Sequence, residues 1–95
     1  MNTILSNIGL CRKAGFLITG FDAVIKEANS EKSKLIGILV ASDISEKTLK
    51  ELRFKTKGNE IIKLSATKNE IESVLTKSVA IIGITNKGFY DKLKS

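Results

Sequence analysis

Apolar residues recur at helical spacing from the start of the chain: Ile4, Leu5, Ile8 and Cys11 fall on one stripe. This predicts a helix over 2–14, closed by Gly15 as a left-handed cap. Residues 16–19 form a short extended stretch ending at Gly20, and Phe21, Val24, Ile25 and Ala28 then mark one face of a helix over 21–29. The run 34–41 is almost wholly apolar, as expected of a strand buried on both faces. Ser45 fits the N-cap of a helix over 46–53, followed by a polar turn at 55–59 and a brief strand at 60–64. Thr67-Lys68-Asn69-Glu70 has the form of a capping box and opens a helix that ends near Leu75, with Ile71, Val74 and Leu75 inward. A second apolar run at 79–84, a turn at 86–88 and a last helix carrying Phe89, Tyr90 and Leu93 complete the pattern.

Helix and strand signals therefore alternate throughout. Each helix has one apolar stripe and the two best strands have two apolar faces. About four strands must lie between flanking helices, which predicts an α/β fold of the three-layer α/β/α sandwich type with about five helices. At 95 residues without proline or a low-complexity tract, the chain reads as a single domain over 1–95.

Charge changes the picture. Sixteen Lys and Arg stand against ten Asp and Glu, a formal charge of +6, which points to a polyanionic partner. The basic residues are spread along the chain, so any electrostatic stripe must be assembled by folding. Histidine is absent, which removes the usual general base and the commonest zinc ligand. The single cysteine, Cys11, lies on an apolar stripe with no activating neighbour; it fits a buried thiol in a reducing, cytoplasmic setting. No apolar run is long enough to span a bilayer, and residues 1–3 do not open a secretory signal. Asp43, Glu46 and Glu51 are spaced for caps and surface pairs, not for a metal. The expectation is a non-enzymatic monomer without cofactor, metal or membrane attachment.

One segment, 12–26, points to a ligand. Two glycines bracket a very short strand, and Gly20 directly precedes a helix, where free N–H groups and the helix dipole favour phosphate. Asp22 and Lys26 share a face four residues apart. A carboxylate can accept from guanine N1–H or N2 amino, and a lysine can donate to O6 or N7. Arg12, Lys13 and Lys34 are then candidates for the flanking phosphates. The competing reading of the same residues is a helix cap, a strand end and a solvated ion pair.

The runs 9–15 (Gly-Leu-Cys-Arg-Lys-Ala-Gly), Thr19-Gly20, 23–26 and 34–43, with Ser45, Thr48, 69–71 and 84–89, resemble the kink-turn RNA-binding ribosomal-protein family, and within it the bacterial YlxQ-type branch. The resemblance covers nearly the whole chain. It implies a sandwich around a mixed four-stranded sheet, and binding of RNA kink-turns with tandem sheared G·A pairs, in a ribosomal or translational setting. It also implies contact through residues 20–26 and through 75–78. The RNA-facing set is then Arg12, Lys13, Thr19, Gly20, Phe21, Asp22, Lys26, Lys34, Leu75, Thr76 and Lys77.

The chain also departs from that pattern. Asp22-Ala23 stands for an Asn-Glu pair, Phe21 for a polar residue, Glu72 for a glycine and Thr76-Lys77 for Gly-Lys. Phe21 has two readings, packing on the sheet or stacking on a flipped base. Glu72 places a carboxylate near the expected phosphate ridge and opposes binding there. Glu72 and Ala23 motivate the alternative function, a protein-interaction module on the same fold.

Overall fold

The computed structural model describes residues 3–56 and 58–94. Asn2 in the first predicted helix and Lys57 in the predicted turn lie outside the described residues. The elements alternate as α1 (Thr3–Lys13), β1 (Leu17–Thr19), α2 (Phe21–Ala28), β2 (Gly37–Val40), α3 (Glu46–Lys55), β3 (Ile61–Lys63), α4 (Lys68–Leu75), β4 (Ile81–Ile84) and α5 (Lys87–Lys94). The strands form one mixed sheet in the order β1-β4-β2-β3. β2 and β3 are parallel, whereas β4 runs antiparallel to both β1 and β2. The two wholly apolar runs occupy the two central positions, where a strand is covered on both faces.

The pleat of β2 and β4 divides the core. Leu39, Ala41, Ile82 and Ile84 pack against α1, α4 and α5 through Ile8, Cys11, Ile71, Leu75, Tyr90 and Leu93. Ile38, Val40 and Ile81 point the other way and meet Val24 of α2 and Leu49 and Leu52 of α3. Two helices on one face and three on the other give the expected sandwich. Gly83 belongs to the α2 face, where a Cβ would lie 2.8 Å from Leu35 and 3.3 Å from Val24, so its missing side chain admits the helix. Gly37 is constrained from the other face, where a Cβ would overlap the Tyr90 ring.

Several boundaries move. The strand expected over 34–41 is regular only at Gly37–Val40, and that expected over 79–84 only at Ile81–Ile84. Apolar character continues past the ladder in both because flanking residues such as Leu35, Val79 and Ala80 still pack against the core. Helix α3 continues to Lys55, two residues beyond the predicted end and into the expected turn. Capping follows the sequence closely. The α1 terminus closes on Gly15 at φ 82°, with Gly15 N–H on the Arg12 carbonyl and Phe16 N–H on that of Cys11, a Schellman arrangement. No helix of the described residues is long and apolar enough to cross a membrane.

Candidate nucleic-acid interface

The strand directions determine what meets at one edge of the sheet. β1, β2 and β3 all end there and β4 begins there, so the N-termini of α2, α3 and α4 share that edge with the loop preceding β4. The Ala41 N–H donates to the Ala80 carbonyl and the Ser42 N–H to that of Ala66, each at 2.8 Å, which ties these loops together.

The three helix starts differ chemically. In α3, the Ser45 hydroxyl accepts from the Thr48 N–H at 3.2 Å. Helix α4 has a complete capping box: Thr67 Oγ1 accepts from the Glu70 N–H at 3.2 Å, and Glu70 Oε1 accepts from the Thr67 N–H at 3.0 Å. The Asp43 carboxylate adds a bond from the Lys68 N–H at 2.8 Å. Helix α2 begins instead at Gly20, at φ 98° and ψ 155°, with no side-chain cap. Its first-turn donors are therefore available to an external acceptor. A Cβ at Gly20 would meet nothing within 4 Å, so the backbone angles, not the space, require glycine.

Around this start, Asp22, Ala23 and Lys26 line the exposed side of α2. The Asp22–Lys26 ion pair of the competing reading is not formed, whereas Lys87 pairs with Asp91, and Lys94 with Glu60 and Asp91. Thr19 ends β1 opposite Ile82, and Thr76 and Lys77 are exposed in the loop that returns to β4. Phe21 is half-buried against the α2–α3 core, with the Lys55 ammonium 5.6 Å from its ring centroid. The fold thus gives the ring a packing role and covers one of its faces with a cation.

The predicted set does not converge as a whole. Leu75 is a correction: its side chain is 1% exposed and locked between α4 and α1, where its apolar character is satisfied, so only its backbone borders the loop. Arg12 and Lys13 lie in the last turn of α1, at the far end of β1 from Gly20. The three-residue strand separates them by about 10 Å at its usual rise per residue. Lys34 is also remote from Gly20; it stands beside the last turn of α2, its N–H on the Glu27 carboxylate at 2.9 Å.

Two features were not read from the sequence. Lys55, assigned to a turn, is helical and reaches Phe21. Thr76 holds the left-handed conformation at φ 58°, ψ 20°, unusual for a β-branched residue; its hydroxyl donates to the neighbouring Leu75 carbonyl at 2.6 Å. The family's glycine at this position was the available signal.

No family model matches the chain. The chain is 35% identical over 88 residues to the RNA-binding protein YlxQ of Enterococcus faecium, covering 92% of this chain and 84% of that protein. The chain belongs to the YlxQ family. The RNA-binding protein YlxQ of Bacillus subtilis is 31% identical over 93 residues, covering 93% of this chain and 88% of that one. Among solved structures, a protein of unknown function from Bacillus halodurans superposes with a TM-score of 0.82 at 25% identity, covering 98% of this chain and 94% of that one. That coverage extends the likeness in fold over almost the whole chain.

Proposed function

We propose that this protein is a non-catalytic, monomeric RNA-binding protein that docks a kink-turn on the N-terminus of α2 and the adjoining loop before β4. The observation that carries the reading is the contrast among the helix starts at this edge. α3 and α4 each have a first-turn N–H held by the side chain of their cap residue, whereas α2 opens on a glycine with no side-chain cap. A phosphate at that point meets N–H groups and the positive end of the helix dipole. The RNA-binding name of both YlxQ relatives supports RNA as the ligand.

In this reading Asp22 accepts from a guanine N1–H or N2 amino group and Lys26 donates to O6 or N7. Lys77, exposed in the loop before β4, neutralises phosphate beside it. Binding then weakens steeply as salt rises. Translation-associated, cytoplasmic work on ribosomal RNA is the setting that fits the family resemblance. The test is a gel-shift titration with a kink-turn RNA and with a copy lacking the sheared G·A pairs. Preferential binding of the intact element supports the reading; equal affinity reduces the protein to a nonspecific polycation.

One observation favours a second reading, a protein-interaction module. Leu10 is 54% exposed beside Leu5, Gly9 and Val74 in an apolar groove between α1 and α4, away from the α2 start. Retention on ribosomes after nuclease treatment, lost in Leu10→Lys, would favour that role.

A further inference from the structure

Helix α3 sorts its side chains sharply. Leu49 and Leu52 carry the buried stripe, while Lys47, Lys50, Arg53, Phe54 and Lys55 face solvent. Phe54 is 71% exposed, more than Leu10 at 54% or Ile36 at 42%. A lone exposed apolar side chain needs no explanation. Phe54, however, is an aromatic ring set among cations. Lys47 and Lys50 lie two turns and one turn before it on the same side of the helix, with Glu51 also one turn before it, and Arg53 and Lys55 adjoin it. Glu46 and Glu51 are the only acids on the helix against four cations.

Lys55 connects this strip to the α2 site. Its carbonyl accepts from the Asn29 side-chain amide at the far end of α2 at 3.1 Å, and its ammonium reaches back to stand 5.6 Å from the Phe21 ring centroid at the start of α2. A protein partner would favour a larger apolar area with fewer charges at its centre. An aromatic face whose bordering charges are mostly cationic, four against Glu51, instead suits a single-stranded polyanion whose bases have lost their neighbours.

We propose that the C-terminal half of α3 is a second RNA contact, holding single-stranded nucleotides that flank the docked element. One base stacks on Phe54, and Lys50, Arg53 and Lys55 neutralise the phosphates beside it. The inference rests on RNA being the ligand, and it does not depend on recognition of G·A pairs.

The chain has no tryptophan, so Phe54→Trp creates a sole fluorophore at the platform. The exposed position lets this variant and Phe54→Ala keep the native fold, checked by circular dichroism. Wild type and both variants are titrated with a kink-turn RNA bearing a short single-stranded extension and with the blunt form. The extension should tighten wild-type binding by about tenfold. That gain should persist in Phe54→Trp with quenched emission, vanish in Phe54→Ala, and be absent when heparin replaces RNA. An extension that adds nothing, a gain that survives Phe54→Ala, emission unmoved by bound RNA, or equal quenching by heparin would each overturn the proposal. Failure to distinguish RNAs with and without G·A pairs, with the extension effect intact, would sink the kink-turn reading alone.

Discussion

The Gly20 N–H donates to the Ile81 carbonyl at 3.0 Å, one step beyond the last β1–β4 ladder pair, Thr19 and Ile82. This bond continues the sheet into the first residue that cannot remain in it. The chain then turns at φ 98° into α2 while β4's approach loop lies alongside. The uncapped helix start and the last residues before β4 are thereby held at neighbouring positions by backbone alone. Their spacing is independent of the side chains that would read a ligand.

Gly20→Ala is the sharpest test of that geometry. A Cβ at Gly20 would clash with nothing within 4 Å, so the whole penalty comes from the backbone region, of order 1–3 kcal/mol. Denaturant unfolding should show a lower midpoint with an unchanged m-value, and RNA affinity should fall as well. Native stability in Gly20→Ala would mean that the turn is not strained for an L-residue.

Thr76→Gly should act in the opposite direction. Releasing a β-branched side chain from φ 58° should stabilise the fold by about 1 kcal/mol. Loss of the hydroxyl bond to the adjacent carbonyl offsets part of that gain. A rise in thermal midpoint is the expected result.

Asp43 links two loops that lie 25 residues apart through its bond to the Lys68 N–H. Asp43→Ala should cost about 1 kcal/mol, as loss of a helix cap does. Hydrogen exchange should increase first in α4, while α2 amides keep their protection.

The cases above show which parts of the molecule were legible in the sequence. Ser45 and the Thr67–Glu70 box act within one turn, so local pattern suffices to find them. The apolar runs give the two central strands because full burial removes the polar alternation. The spacing of Asp43 suits a cap or a surface pair, but nothing local reveals that its partner is the Lys68 N–H. Arg12 and Lys13 are close to Gly20 in sequence, but β1 carries the chain across the sheet between them. Leu75 borders the expected RNA loop, yet the same helical stripe that includes Ile71 draws it inward. Lys55 was hidden by a helix that runs past the last apolar residue of its stripe, Leu52.

Stability should also fall in alkali, for reasons the core makes explicit. Burial first, then the hydrogen bond and charge of Glu60 and the charge of Asp91, hold the Tyr90 phenol well above its ordinary value. Its hydroxyl donates to Glu60 at 2.6 Å. Burial pushes the Cys11 thiol up to about 11. Both groups are more easily ionised in the unfolded chain, so their contribution is complete at neutral pH. It declines as pH rises past about 9 for the thiol and about 10 for the phenol. Denaturant midpoints measured from neutral pH to about 11 should decrease, and Tyr90→Phe should flatten the upper part of that slope.

The central claim is that RNA is gripped at the open end of α2, and amide chemical-shift mapping with a kink-turn RNA tests it most directly. Shifts clustered at residues 20–26 and 76–80, fading as salt is raised, are the predicted result. Perturbations confined to the α1–α4 groove around Leu10, with residues 20–26 unmoved, would contradict it.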